Sequence, residues 1–291
     1  MLAANQIMKL LLADLAHAER LLQQDPVIAN GVMPDLTNDG NDFMRNRNYR
    51  INYYAVKALQ ARVNMYRGDK ATALAAAKVL IQNSSKFAWA GKANASNPDR
   101  IFSTEMILGV KNSQLYNRYN SLFAPDLNDA TILAPVAARL TTVYESNEND
   151  TRYGLNWAIP TNGTKTYRVF LKYADVTDKA LAFRLTIPML KISEMYYIAA
   201  ECEPDATQAV AYLNTVRNAR GLLSLPSTIS LNTELQKEYQ KEFYGEGQLF
   251  YYYKRNNTAR IPNGAAASGD VNMSAATYVL PLPLSETQYR Q

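Results

Sequence analysis

Cysteine and histidine are almost absent: the 291 residues include one of each, Cys202 and His17. A single cysteine excludes an internal disulfide and any zinc site built from a cysteine cluster. A single histidine excludes metal sites with several histidine ligands and most histidine-based catalysis. Cys202 falls on the apolar face of a helical pattern, so we predict that it is a small buried hydrophobic residue.

Long apolar runs and blocks of one charge are lacking too. No stretch approaches the roughly 20 apolar residues that a transmembrane helix needs. The formal charge of +5 is modest for this length, and basic residues alternate with acidic ones. Only RNRNYR, residues 45–50, is locally basic, and this pattern favours a solvated loop over a nucleic-acid site. The start of the chain shows an amphipathic helical pattern with internal charges, without the zones of a signal peptide.

The common motifs of enzymes and cofactor sites are also missing. The sequence has no phosphate-cradling glycine loop, no dinucleotide fingerprint, no serine nucleophile elbow and no metal-binding histidine pair. Asp35, Thr37, Asp39 and Gly40 match the opening of an EF-hand calcium loop, but its closing position is Asn46 instead of a bidentate glutamate. We predict a turn rich in Asn and Asp there, and no cofactor or metal.

What the chain does contain is helical periodicity, clearest in residues 50–67 and 70–82. Each segment has small or apolar residues along one face, and Gly68 with Asp69 supplies a turn between them. The residues on the two faces are Tyr54, Ala58, Ala61 and Met65, then Ala73, Ala77 and Leu80. Alanines allow close approach of two backbones, so the pattern predicts an antiparallel helical hairpin resembling a tetratricopeptide repeat. Residues 3–24 predict a further helix, ended by Asp25 and Pro26.

A second hairpin is predicted near residue 200. Apolar residues recur at helical spacing on both sides of a break at Pro204 and Asp205, namely Ile192, Met195, Ala199 and Cys202, then Ala209, Leu213 and Val216. Two hairpins are too few for a free-standing solenoid, so other segments must complete the stack. Residues 84–185 instead predict loops with short strands, and long irregular insertions on a rigid scaffold commonly carry binding sites.

Four glutamates recur every fourth residue: Glu234, Glu238, Glu242 and Glu246. This spacing aligns them on one side of a helix, whereas the paired carboxylates of a glycosidase flank the scissile bond from opposite sides. We therefore favour ion pairs between Glu242 or Glu246 and Arg217, Arg220 or Arg255. Gly245 and Gly247 then end the helix, and we expect Phe250, Tyr251 and Tyr253 to pack against the scaffold.

Four ordered segments carry a resemblance to a known family. They are LAFRLTIPMLKISEMYYIAAE, AVAYLNTVRNARGL, LQKEYQKEFYGEGQLFYYYKR and YVLPLPLSETQY. They resemble the C-terminal signatures of the SusD/RagB family, surface-exposed nutrient-binding lipoproteins that partner a SusC-like, TonB-dependent outer-membrane transporter. The first hairpin, INYYAVKALQARVNMYRGDKATALAAAKVLI, is similar to a helical hairpin of that family.

The resemblance implies a mostly α fold, a superhelix of tetratricopeptide-like hairpins with a loop-rich insertion containing short strands. We expect one domain, 1–291, divided into 1–83 with the N-terminal helix and first hairpin, the binding insertion 84–185, and 186–291 with the second hairpin and the signature segments. It also implies a non-catalytic protein at the cell outer membrane, with a polysaccharide or oligosaccharide and a SusC-like transporter as partners and no nucleic acid. The family's secretion signal, lipid-bearing cysteine and preceding segment are not visible, so we expect a fragment or shortened relative whose only membrane link is the absent lipid anchor.

Sugar sites combine flat aromatic rings with amide, carboxylate and guanidinium groups. The segments QLYNRYN, residues 114–120, and RYGLNW, residues 152–157, interleave these residue types. We predict ligand contacts from Tyr116, Asn117, Tyr119, Asn120 and Trp157, with Trp89 a weaker candidate. In the family, the segment before the element seen here as DTRY contributes to the pocket, which favours the residues of 114–120.

Two other functions stay open at this point. One is a helical adaptor whose concave repeat surface binds a protein segment. The other is a glycoside hydrolase that uses carboxylates such as Glu242.

Overall fold

Helices dominate the part of the chain that the structure, a computed structural model, describes: residues 4–32, 46–90, 97–161 and 163–288. The twelve α-helices found there are α1 (Ala4–Leu21), α2 (Val27–Asn30), α3 (Tyr53–Arg67), α4 (Lys70–Ile81), α5 (Leu115–Leu122), α6 (Ala137–Val143), α7 (Thr151–Asn156), α8 (Ile192–Cys202), α9 (Ala206–Ala219), α10 (Leu231–Glu242), α11 (Gln248–Arg255) and α12 (Leu284–Thr287). The strands are β1 (Met106–Lys111), β2 (Trp157–Ala158), β3 (Val169–Phe170), β4 (Thr186–Lys191), β5 (Arg260–Pro262) and β6 (Asp270–Asn272). The predicted mostly helical fold is confirmed.

The first predicted hairpin forms from α3 and α4, and local side chains define its ends. The Asn52 side chain caps α3 by accepting a hydrogen bond from the backbone N–H of Ala55 at 2.9 Å. Gly68 ends α3 with a left-handed backbone, φ 87°, a conformation that glycine adopts without steric cost. Asp69 then caps α4 by accepting from the backbone N–H of Thr72 at 3.1 Å. Capping and turn chemistry together specify the hairpin from local sequence.

The helices stack in a continuous series. α1 packs on α3, α3 on α4, α4 on α8, and α8 on α9, which is the second predicted hairpin. Alanines at the contacts are fully buried, among them Ala58, Ala61, Ala73, Ala77 and Ala199. Cys202 packs partly buried against this core, with its sulfur 3.0 Å from that of Met65. Burial raises the pKa of its thiol to about 11. Cys202 thus packs with the apolar residues, as predicted, but it is partly buried and not fully so.

The insertion between the hairpins has a hydrophobic cluster of its own. Strands β2 and β3 pair antiparallel and place Trp157 opposite Phe170, and Tyr144, Tyr153 and Tyr173 join them in the interior. Strands β1 and β4 also pair antiparallel, and β4 leads directly into α8. The predicted loops and short strands are present, but so are α5, α6 and α7, which the sequence analysis did not predict. These helices have eight residues or fewer, too short for a clear periodic signal.

Gly221 marks the joint between the insertion and the helical frame. It follows α9 with φ +80°, and a Cβ atom added to it would lie 2.5 Å from the backbone oxygen of Asn149. The adjacent Arg220 carbonyl accepts a hydrogen bond from the backbone N–H of Thr151 at 2.9 Å. Only glycine permits this approach of the two backbones, so the insertion meets the frame directly beside Arg220.

Candidate functional site

Helix α5 carries four of the five residues that the sequence analysis singled out. Its inner face is anchored by Leu115 and Tyr119, which are buried, while Asn117 and Asn120 are exposed and Tyr116 is half-buried. Buried residues four apart fix one helical face inward and leave the intervening ones outward. Tyr116, Asn117 and Asn120 therefore lie on the outer side of the insertion, and we name them the α5 surface.

Charged residues adjoin the α5 surface at Tyr116. The guanidinium of Arg184 lies 5.2 Å from the centre of the Tyr116 ring, and the Tyr116 hydroxyl accepts a hydrogen bond from the backbone N–H of Leu185 at 3.3 Å. Arg184 in turn donates to both carboxylate oxygens of Asp175, at 2.8 and 3.0 Å. Burial acts to raise the pKa of Asp175, but hydrogen bonds from Arg184 and Lys179 hold it below its ordinary value. The Tyr116 ring is thus oriented by its neighbours and flanked by fixed hydrogen-bonding groups.

The recess beside Tyr116 is too small to enclose a sugar. Its volume is about 20 Å³, which is room for a single water molecule. A ligand at the α5 surface would therefore lie against the ring and the two amides, with most of its own surface in solvent.

Of the remaining predicted residues, Tyr119 and Trp157 lie in the interior and Trp89 is half-buried against the helical frame. Tyr119 is 6% exposed, and burial raises the pKa of its hydroxyl to about 12. Trp157 has no exposed surface, and its indole N–H donates to the Tyr144 hydroxyl at 3.2 Å. Trp89 packs against Tyr196, with their ring centres 5.5 Å apart. The structure therefore brings Tyr116, Asn117 and Asn120 together on one surface but does not add Tyr119, Trp157 or Trp89 to it.

A second aromatic surface, which the sequence analysis missed, lies on the helical frame. A groove of about 460 Å³ runs between α1, α3 and α11, and two tyrosines that line it are well exposed, Tyr66 by 42% and Tyr251 by 51%. We call it the Tyr66–Tyr251 groove. The prediction that Tyr251 packs against the scaffold is wrong, because α11 turns this ring outward while Tyr252 and Tyr253 are buried. The mixed aromatic run gave no helical phase from which to choose between them.

Two glutamates of α10, Glu238 and Glu242, belong to a buried ionic cluster. Glu242 accepts hydrogen bonds from Arg220 at 2.8 and 3.0 Å, from Arg152 at 3.2 Å and from Ser193 at 3.0 Å. Lys191 lies 3.1 Å from its carboxylate. The predicted pairing of Glu242 with Arg220 is confirmed, and it joins α10 to α9.

The other arginines have different partners from some of those proposed. Arg217 pairs with Glu238 at 2.9 Å, and Arg255 pairs with Glu201 at 2.6 Å. Glu246 pairs with Lys172 and Lys191, at 2.8 and 2.9 Å. Each acid in the cluster thus has a cationic partner within hydrogen-bond distance, the requirement for a charge removed from water.

The cluster also reaches into the insertion. Arg220 donates to both carboxylate oxygens of Glu105, at 2.7 and 2.6 Å. Arg152 donates to Asp150 at 2.9 and 2.7 Å and to Glu238 at 2.8 Å. Glu105, Asp150 and Arg152 belong to the insertion, whereas Arg220 and Glu238 belong to the helical frame. We refer to these eight residues together as the ionic cluster: Glu105, Asp150, Arg152, Lys191, Arg217, Arg220, Glu238 and Glu242.

The electrostatics of Glu242 are those of a structural group. Its side chain has no exposed surface. Burial acts to raise its pKa, but Arg220, Lys191 and Arg152 hold the pKa well below the ordinary glutamate value. A general acid needs a raised pKa and contact with the substrate. Glu242 has neither property, so the hydrolase hypothesis built on it is wrong.

Metal and membrane motifs find no structural counterpart in the described ranges. Within them, no group of three or more His, Cys, Asp or Glu residues is placed to hold a metal ion. The calcium-like run from Asp35 to Gly40 lies outside the described residues. None of the helices described has both the length and the apolar character needed to cross a membrane.

Comparisons with known structures identify the fold. A SusD superfamily protein from Bacteroides thetaiotaomicron is 18% identical, with a TM-score of 0.67, and the match covers 98% of this chain and 64% of that one. Surface glycan-binding protein A from the same organism, solved in complex with laminarihexaose, is 19% identical with a TM-score of 0.66, covering 99% and 69%. A laminarin binding SusD-like protein is 19% identical with a TM-score of 0.51, covering 84% and 61%.

The chain thus spans about two thirds of the length of the structures it matches, and at these identities the likeness establishes the fold alone. None of the curated proteins gives a significant sequence match. The sequence model of the SusD family, however, matches residues 38–288, most of the chain. On this match, together with the stacked hairpins and the joined insertion, the chain belongs to the SusD family.

Proposed function

We propose that this chain binds a glycan or a related nutrient at the cell surface, leaves its bonds intact, and delivers it to a SusC-like TonB-dependent transporter of the outer membrane. The observation that carries the proposal is membership of the SusD family. Two proteins of the same fold support a glycan as the ligand, one solved with laminarihexaose and one described as laminarin binding. The inaccessible, fully paired Glu242 supports binding without catalysis.

We place the ligand on the α5 surface. The apolar C–H face of a sugar ring packs on a flat aromatic ring, and its hydroxyls need donors and acceptors nearby. Tyr116 offers the ring, the exposed amides of Asn117 and Asn120 offer both donors and acceptors, and Arg184 adds a donor beside the ring. The open geometry favours a long chain that lies across the surface over a small sugar held in a pocket.

Affinity electrophoresis and calorimetry against a polysaccharide panel that includes laminarin test this proposal. Tyr116→Ala should weaken binding about five- to tenfold, the loss of roughly 1 kcal/mol of ring contact. Tyr116→Phe is the matched control, since it keeps the ring and removes only the hydroxyl that accepts from Leu185. Binding by the Phe variant should stay within about twofold of that of the unmodified protein.

Two further variants distinguish the α5 surface from the groove. Tyr66→Ala and Tyr251→Ala remove exposed rings from the Tyr66–Tyr251 groove and should leave glycan affinity unchanged. If they weaken binding while Tyr116→Ala does not, the ligand lies in the groove and the α5 assignment is wrong. Release of new reducing ends, or peptide binding with no response to any glycan, would contradict the proposed function itself.

Delivery is tested separately from capture. A SusC-like transporter should co-purify with this chain from detergent-solubilised outer membranes. Capture without any such complex would retain the glycan-binding half of the proposal and refute the transporter half.

A further inference from the structure

The charged residues that line the recess beside Tyr116 are all cations. They are Arg100, Lys172 and Arg184, and the described residues of the lining include no aspartate or glutamate. Tyr116 of α5 and Thr186 of β4 also line it, so the recess lies between the α5 surface and the start of β4. A recess whose charges have one sign raises the local concentration of ions of the opposite sign. Its lining therefore favours an anionic group.

Lys172 is already fully engaged. Its side chain is buried, and its amine donates to the backbone carbonyls of Glu242 and Tyr244, at 3.1 and 3.0 Å. It also donates to the Glu246 carboxylate at 2.8 Å. An ammonium group has three protons, so these bonds use all of them. Lys172 therefore forms part of the wall and does not itself bind a ligand.

Arg184 is engaged by Asp175, the acid that lies beside the Tyr116 ring. It donates to both oxygens of the Asp175 carboxylate, and Lys179 donates to the same carboxylate at 2.7 Å. Two cations thus share one acid, and their sum is positive. Asp175 itself does not line the recess, so it does not neutralise the charge there.

Arg100 differs from the other two cations. Its Nε–H donates to the backbone carbonyl of Leu155 at 3.0 Å, which uses one of its N–H groups. Among the residues that the structure describes, no carboxylate forms an ion pair with Arg100. Burial lowers the pKa of Arg100 below its ordinary value, against the opposing effect of Tyr119, as expected for a cation that has lost water without gaining a counter-charge. The residue is only half-buried, so a ligand can supply that counter-charge.

We propose that the glycan bound at the α5 surface is acidic, and that an anionic group on one of its sugar rings enters the recess and pairs with Arg100. This ligand class rests on the proposed function and makes it more specific. A uronic acid carries its carboxylate directly on the pyranose ring, so a sugar packed on Tyr116 holds that carboxylate beside the tyrosine, where the recess lies. The volume of about 20 Å³ admits one oxygen of the group, and a planar guanidinium pairs with a carboxylate through two hydrogen bonds. A sulfate ester offers the same charge and similar acceptor oxygens.

The charge of the ligand is tested on the unmodified protein. Calorimetry compares acidic polysaccharides, among them polygalacturonate, alginate and a sulfated galactan, with their methyl-esterified or desulfated forms and with neutral laminarin. The esterified or desulfated polymer is the matched control, since it keeps the sugar rings and loses the charge. At least one acidic polymer should bind about tenfold or more tightly than its neutral form, and raising the sodium chloride concentration from about 0.05 to about 0.5 M should remove most of the difference. The polymer that binds distinguishes a carboxylate from a sulfate ester.

Arg100→Gln connects this preference to the recess. Glutamine keeps an amide donor but removes the charge, so affinity for the acidic polymer should fall about tenfold or more while affinity for its neutral form changes less than about twofold. Arg67→Gln is the matched control, because Arg67 is an exposed arginine at the end of α3 that does not line the recess. It makes the same change in net charge and should leave acidic binding within about twofold. Arg100→Lys is the substitution for use if the glutamine variant does not fold; it keeps the charge but not the planar fork, so it should weaken acidic binding in the same direction.

Affinity for the neutral forms that equals or exceeds affinity for the acidic ones would overturn the proposal and leave the proposed function standing. Undiminished acidic binding by folded Arg100→Gln, or by Arg100→Lys where only that variant folds, would do the same. Equal losses from Arg100→Gln and Arg67→Gln would show that net charge and not the recess attracts the polymer, and would overturn the proposal too. Binding of no polysaccharide, acidic or neutral, would refute the proposed function and the acidic ligand with it.

Discussion

Replacing Glu242 with glutamine tests whether the ionic cluster holds the fold together. Glutamine keeps the shape of the side chain but removes its charge and one acceptor oxygen. In the native protein this carboxylate accepts hydrogen bonds from Arg220, Arg152 and Ser193 and lies 3.1 Å from the Lys191 amine. All of these groups are shielded from solvent. The substitution leaves cations uncompensated in the interior and places a donating amide against guanidinium donors.

The expected cost is large. Removing one partner of a buried ion pair typically destabilises a protein by about 3 to 5 kcal/mol, because the remaining charge cannot regain its hydration. Glu234→Gln is the matched control, since it makes the same change two turns earlier on α10. In the part of the chain that the structure describes, Glu234 pairs with Lys237 alone, at 2.8 Å near the surface, and such pairs contribute about 1 kcal/mol or less.

Urea unfolding followed by circular dichroism measures both variants. We expect Glu242→Gln to lower the free energy of unfolding by at least about 2 kcal/mol more than Glu234→Gln.

The pH dependence of stability provides a second readout. A carboxylate with a lowered folded-state pKa contributes stability above its unfolded pKa, near 4.5 for glutamate, and this contribution is lost as the pH falls below that value. Acid sensitivity should therefore decrease in Glu242→Gln. Equal losses from the two variants, or unchanged acid sensitivity, would refute the structural role of the cluster.

Three further predictions concern other parts of the chain. Gly221→Ala should destabilise the protein by more than the roughly 1 to 2 kcal/mol of left-handed backbone strain, because its Cβ would also meet the Asn149 oxygen. Gly154→Ala, in open space on α7, should instead stabilise it by about 0.5 kcal/mol. Thermal unfolding compares the two variants. Burial acts to raise the pKa of Glu145, but hydrogen bonds from two lysines lower it to about 2. Glu145→Gln should therefore flatten the decline of stability between pH 4.5 and 2 in acid titrations. Burial raises the pKa of Tyr119 and Tyr244 to about 12, so stability should fall as the pH rises from 10 to 12, and tyrosinate absorbance should develop with unfolding.

The helical frame was predictable because its information is local. Asn52, Gly68 and Asp69 specify the ends of α3 and α4 within a few residues of sequence. The buried alanines follow from helical periodicity alone. The insertion was not predictable at this level, because α5, α6 and α7 are short helices stabilised by contacts with the insertion's own hydrophobic cluster.

The candidate site was only partly predictable for a related reason. Composition identified aromatic and amide residues in the insertion, but composition does not say which rings face outward. Trp157 faces inward because β2 pairs with β3 and sets it opposite Phe170, a pairing between segments with no strong periodic pattern. Tyr251 faces outward because the phase of α11 is set by the burial of Tyr252 and Tyr253, which depends on packing against α10.

The ionic cluster explains how a loop-rich insertion can present a surface in a fixed position. Apolar contacts alone are tolerant of small rotations, whereas bidentate bonds between guanidinium and carboxylate groups are directional. Arg220 holds Glu105 of the insertion through two such bonds and Glu242 of α10 through two more. Arg152 makes the reciprocal connection from the insertion to Glu238. The orientation of the insertion is therefore coupled to the stacking of α9 and α10. If the α5 surface binds the glycan, Glu242→Gln should weaken that binding even in the fraction of protein that remains folded, although Glu242 itself never contacts the ligand.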